Sequence, residues 1–149
     1  MSISYDVFTS AFLRKITEYE FVDMKSFERM SFVDALMKGA ISAFRKVCKY
    51  DLSTTGDDII REFDVDIPAE DLDEIVDIVS EGMVVQWMKP YVYKQELLEN
   101  VLNTKDFTTY SPGELLMRVG NAYHAAQKDF KNMIKDYSYN HGDLTDLHL

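Results

Sequence analysis

Leu116, Val119, Tyr123, Ala126, Phe130, Met133 and Tyr137 follow one another in alternating steps of three and four residues. That spacing puts all seven on one narrow stripe of a long helix, and a helix with such a stripe is unstable until neighbouring helices cover it. The chain must therefore fold as packed helices. Two kinds of neighbour can cover the seam. One is the second and third helices of the same chain, as in an ordinary bundle; the other is a further subunit that completes part of it.

The start of this helix is written into "TTYSPGELLMRVG". Ser111 is placed to cap it, Pro112 to occupy its first turn and Glu114 to return the capping bond, with Tyr110 and Leu115 positioned as a hydrophobic staple. Each feature serves a helix start, so a regulatory Ser-Pro site is unneeded to explain the stretch. Asn140-His141-Gly142 marks the end, since glycine commonly follows the last helical turn.

Apolar residues recur at helical spacing through most of the remaining chain. Tyr5, Phe8, Phe12, Ile16 and Tyr19 predict a first helix over about residues 4–20. Ser31 and Asp34 fit a capping box, and Val33, Leu36, Met37, Ala40, Phe44 and Val47 predict a second helix reaching Lys49. "STTGDD" reads as a loop and "IIREF" as a short helical piece, with no strand pattern in competition. Pro68 opens a third helix with Glu70 and Asp71 near its positive end. Leu72, Ile75, Val76, Val79, Met83 and Trp87 form its buried face. Pro90 is expected to kink or end it. "YVYKQELLENVLN" predicts a fourth segment through Leu102. The expected fold is all-α: a bundle of about four to five helices in one domain, residues 1–137, followed by a short extended tail over 138–149. That tail is either a frayed terminus or an arm that orders on a partner.

Composition narrows the class. With 149 residues, 46% of them hydrophobic, the chain suits one domain with a substantial core. A single cysteine, Cys48, excludes an internal disulfide. No apolar run approaches the roughly 20 residues of a membrane span, and "MSISYDVF" lacks a signal peptide's pattern. These features predict a soluble, unsecreted protein in a reducing setting. The net charge is −10, and its location is informative. Residues 57–81 hold eleven acids and one base, Arg61, which leaves fifteen of each elsewhere from totals of 26 and 16. One block thus carries the whole imbalance and repels nucleic acid, which disfavours sequence-specific DNA binding.

Candidates for chemistry are few. "DVDIPAEDLDEI" begins like a calcium loop at Asp64 and Asp66, but Pro68, Ala69 and Ile75 occupy positions that require a ligand, the turn glycine and the bidentate glutamate. His124 has no glutamate three residues before it, so a di-iron carboxylate site is unsupported. His141, Asp143, Asp146 and His148 cluster in the tail, where ordering entropy opposes metal binding. Lys46 and Lys49 beside Cys48 would favour its thiolate, yet no histidine stands near in sequence to act as a base. The expectation is no enzyme, no cofactor and no metal.

Finally, residues 85–145 run through a Trp-to-Pro helix break, "KQELL", a short polar loop, the long heptad helix and an aromatic tail. In this layout the chain resembles the neck proteins of tailed bacteriophages, the helical head-to-tail connectors or adaptors that dock beneath the portal. The resemblance implies a virion structural protein made in the host cytoplasm. It further implies a homo-oligomeric ring of about a dozen subunits, with portal and other neck or tail proteins as partners and DNA only as passing cargo. It transfers no signature residues. The contact candidates Tyr137, Tyr139, Leu144 and Leu147 follow from the tail's apolar spotting. Glu70, Asp71, Asp73, Glu74 and Asp77 are the candidates to face a channel, because like charge prevents DNA from adhering. "DLSTTGDD" departs from the family by its shortness. The rival expectation is an acidic helical module that binds a basic partner as a regulator or DNA mimic, with a metal-dependent enzyme a distant third.

Overall fold

A computed structural model of the chain describes residues 2–16, 30–93 and 112–141. Four helices dominate these residues: α1 (Tyr5–Ile16), α2 (Met30–Phe44), α3 (Ala69–Tyr93) and α4 (Pro112–His141). The all-α expectation holds for the architecture, with one addition. Strands β1 (Ile3–Ser4), β2 (Gly56–Asp57) and β3 (Glu62–Phe63) form a small antiparallel sheet in the order β1-β3-β2. Ile3 pairs with Phe63 and Ser4 with Glu62, while Gly56 and Asp57 pair with the same two β3 residues from the other side.

α3 is the central element. Its N-terminal half is amphipathic, burying Ile75, Ile78 and Val79 while its carboxylates face outward. From Gly82 to Met88 nearly every residue is buried, so this stretch is enclosed by its neighbours, while Lys89 and Pro90 beyond it are exposed. α1, α2 and α4 each pack on it. Phe12 of α1 meets the Trp87 ring edge-on with centroids 6.1 Å apart. Val119, Tyr123, Ala126, Phe130 and Tyr137 of α4 are buried and Met133 is partly buried, so the seam from Val119 to Tyr137 is largely covered within the chain.

Gly82 marks the tightest crossing. A Cβ there would lie 2.8 Å from the Phe130 ring and 2.9 Å from the Ala40 Cβ, so α2, α3 and α4 converge on a point where no side chain fits.

Several local expectations are corrected. Ser31 lies inside α2, not ahead of it, and Asp34 binds Arg61 instead of completing a capping box. α2 ends at Phe44, short of Lys49. Its last turn tightens as Val47 and Cys48 N–H both donate to the Phe44 carbonyl, and the Tyr137 hydroxyl then accepts the Lys49 N–H at 3.0 Å. "IIREF" is a turn and a strand, not a helical piece. Asp57 Oδ1 accepts the amides of Ile59 and Ile60, and Arg61 takes φ = 54°, a left-handed conformation that no helix continues. Of the two outcomes expected of Pro90, a kink or an end, the end is excluded, since α3 continues to Tyr93. Pro68 stands one position ahead of α3, its carbonyl accepting the Leu72 N–H. The first helix is described to Ile16, and the expected segment through Leu102 lies outside the described residues beyond Tyr93, as do Ser111 and Tyr110. Of the expected extended tail over 138–149, residues 138–141 are instead the helical end of α4, and 142–149 lie outside the described residues.

Gly82→Ala should destabilise the fold by about 1–3 kcal/mol through overpacking, despite alanine's better helix propensity. Urea unfolding with an unchanged slope is the check.

Candidate functional site

The acidic block is not one uniform face. A few cations and phenols tie down much of it. Lys15 Nζ reaches Asp77 Oδ1 at 2.7 Å and Glu81 Oε2 at 2.9 Å, bracing α1 against α3. Burial alone would lower the Lys15 pKa, but these two carboxylates outweigh it and raise the value. The Tyr50 hydroxyl donates to Asp71 at 2.6 Å. His141 Nε2 lies 2.6 Å from Glu74 Oε1, and its ring stacks on Tyr137 at 4.5 Å, fastening the end of α4 to α3.

Arg61 organises the other end of the block. Its guanidinium forks onto Asp34, with two contacts of 2.8 Å, and also reaches Asp6 at 2.8 Å. Arg61 and Asp34 side chains are only 19% and 15% exposed, so this is a largely desolvated pair. The bond to Asp34 holds the Arg61 pKa above its ordinary value against the opposing effect of burial. The Arg61 carbonyl accepts the Tyr5 N–H at 2.9 Å, and the Tyr5 hydroxyl donates to Asp58 at 2.8 Å. Lys38 pairs with the same Asp58 at 2.6 Å. Hydrogen bonds from Lys38 and Tyr5 hold the Asp58 carboxyl below its usual range.

Of the expected channel-facing acids, Glu70 and Asp73 are exposed, and they bear no hydrogen bond or ion pair among the described residues. Asp71, Glu74 and Asp77 are instead engaged by Tyr50, His141 and Lys15. Of the expected contact residues, Tyr139 is 73% exposed. Tyr137 is corrected: it is fully buried, its ring edge-on to Phe44 at 4.9 Å, and it serves the core. Leu144 and Leu147 lie outside the described residues.

The described residues include three surface grooves. The first, about 430 Å³, lies at the end of α2 between Arg45, Lys46, Cys48, Lys49 and Tyr50, with Ile41, Phe44 and Leu52 beneath. The second, about 400 Å³, adjoins it and includes Tyr5, Lys38 and Asp58. The third, about 320 Å³, lies between α1 and α3 around Arg14, Lys15, Asp73 and Asp77. None brings a nucleophile and a base together. The Cys48 thiol is pushed up by burial, against the expectation drawn from its lysine neighbours. Among the described residues no group of three or more His, Cys, Asp or Glu is placed to hold a metal ion. No helix there is long and apolar enough to cross a membrane.

Two features escaped sequence reasoning. Arg61, the lone base among eleven acids, was visible in composition, but its partners Asp34 and Asp6 are distant in sequence. The exposed pair Ile59–Ile60 was hidden by the helical reading of "IIREF". Compared with known proteins, no family model matches the chain, no curated protein matches it, and no solved structure matches it.

Asp34→Ala should cost about 2–3 kcal/mol, because it strands a mostly desolvated guanidinium hydrogen bond; denaturant unfolding reads this directly. An alkaline transition is also expected. Burial and then the Asp58 contact raise Tyr5 to about 12, the Asp71 bond and then burial raise Tyr50 to about 12, and burial raises Tyr137 to about 12. These phenols ionise near 10 when unfolded, so stability holds below about pH 10 and falls as pH rises toward 12. Unfolding followed from pH 8 to 12, alongside phenolate absorbance, checks the window.

Proposed function

We propose that this chain is a structural subunit of the neck of a tailed-phage virion. In this reading it forms a ring below the portal that joins head to tail and extends the DNA channel, without catalysing a reaction. The observation that carries the reading is the layout of residues 85–145, which resembles the neck proteins. The long helix of that layout is α4, which leads into a polar, leucine-spotted tail. Two structural features support it. Ion pairs and hydrogen bonds of the acidic block brace the helices, and none of the three grooves described among these residues brings a nucleophile and a base together. Glu70 and Asp73, with Asp64 and Asp66 before them, present exposed negative charge that lets DNA pass without adhering.

Self-association closes the ring, and the tail with exposed Tyr139 contacts the portal. The same uncommitted acids favour a second reading, in which the protein is an acidic module that binds a basic partner. Salt separates the two, since a charge-mimic complex weakens steeply as ionic strength rises.

Electron microscopy of the purified chain, alone and mixed with the portal protein encoded near its gene, is the test. Rings or ring-capped portals are expected. Deleting residues 142–149 should abolish portal docking while leaving the His141–Glu74 clasp and the fold intact. A protein that stays monomeric with portal at every concentration and salt would contradict the reading.

A further inference from the structure

The turn between β2 and β3 presents its two apolar residues to solvent. Ile59 is 93% exposed and Ile60 is 61% exposed, although each would be stabilised by burial. Isolated exposed apolar residues are ordinary, but here two stand side by side at an apex that is held from several directions. Asp57 Oδ1 accepts the Ile59 amide at 2.9 Å and the Ile60 amide at 3.4 Å. Arg61, next in sequence, is kept left-handed and is clamped by Asp34 and Asp6. Asp58 is gripped by Tyr5 and Lys38. A non-glycine residue keeps such a conformation only where its surroundings over-determine it. The apex is thus a pre-organised apolar knob that no described residue covers, and preorganisation lowers the ordering cost of binding.

Charge selects what covers it. Asp57, Asp58, Glu62 and Asp64 flank the knob along the chain. Asp58 is paired with Lys38 and Arg61 is neutralised by Asp6 and Asp34, which leaves Asp57, Glu62 and Asp64 as the negative charge. That acidic collar repels nucleic acid and anionic lipid and favours a basic rim. The groove at the end of α2 offers one. Its floor is apolar, with Ile41, Phe44 and Leu52, and its rim carries three cations, Arg45, Lys46 and Lys49, against one carboxylate, Asp51, so it is basic on balance. Arg45 and Lys46 are exposed and form no ion pair among the described residues. Knob and groove therefore match twice, apolar to apolar and acid to base.

We infer that the Ile59–Ile60 knob of one copy seats in the Arg45–Lys46–Lys49 groove of the next copy of this chain. The two patches differ, so the contact is head-to-tail. Such contacts propagate and close into a ring when the rotation between copies allows. The inference rests on the ring reading above and names the surfaces that build the ring.

Sedimentation velocity of the full chain, alone and on portal, tests it with two variants at exposed positions. These are Ile59→Asp with Ile60→Asp, and Arg45→Glu with Lys46→Glu. Both should keep the wild-type helical circular dichroism. Each should associate at least about a hundredfold more weakly than wild type, as expected for losing two buried isoleucines or reversing the rim. Mixed together, they should form a one-to-one pair and nothing larger, because one retains an intact groove and the other an intact knob. Wild-type rings that persist in either variant, or a mixture that restores no pair, would overturn this contact and leave the ring reading standing. A wild type that never associates, alone or on portal, overturns both. Flotation of wild type, but not of the isoleucine variant, with phosphatidylcholine vesicles would assign the knob to lipid and overturn the contact.

Discussion

Three helices meet at Gly82, and the remaining structure is arranged around that approach. The Phe130 ring from α4 and the Ala40 methyl from α2 both lie inside the distance at which a side chain on α3 would collide with them. Close approach of this kind brings Val119, Tyr123, Ala126 and Phe130 onto α3 and encloses the stretch from Gly82 to Met88. From Gly82 to Met88 the enclosed stretch leaves no room for charge. The carboxylates from Glu70 to Glu81 occupy the N-terminal half for that reason, outside the crossing. The fold thus separates a dry junction from an acidic outer face along one helix.

The acidic face does two kinds of work. Some of its members are structural: Asp77 and Glu81 hold α1 through Lys15, Glu74 holds the end of α4 through His141, and Asp71 holds the loop after α2 through Tyr50. Each joins elements distant in sequence, and the partly buried ones act in a lower dielectric, where the attraction is stronger than at a fully exposed site. The others, Asp64, Asp66, Glu70 and Asp73, remain in solvent. The block's excess of ten acids therefore overstates the field it offers a partner, because Lys15 and Lys38, from outside the block, cancel part of it locally. What is left is a smaller negative surface beside a base-rimmed groove.

Helices with long apolar stripes were legible in the sequence because their periodicity is set by burial within the chain. The α4 seam is the clearest case, and Val119 through Phe130 are buried as the spacing requires. Local rules failed where distant residues decided the outcome. Asp34 has the spacing of a capping residue, but Arg61, 27 positions away, offers it a charged double contact that a backbone amide cannot equal. "IIREF" has helical composition, yet the pairing of β3 with residues 3–4 and the left-handed Arg61 turn it into a hairpin. Lys49 is excluded from α2 because a tyrosine 88 positions away takes its amide. Tyr137 had two readings, the last position of the seam and a tail contact; its burial against Phe44 at the end of α2 bears out the first and excludes the second. Such pairings depend on topology, which no local spacing encodes.

The central claim is that α3, enclosed at Gly82, is the last element to come apart. Native-state hydrogen exchange measures this directly. The amides of residues 78–88 should exchange only through global unfolding, with opening free energies equal to the stability measured by denaturant. Were these amides to exchange at lower free energy than those of α1 or α2, α3 would not be the element on which the others depend, and the account would be contradicted.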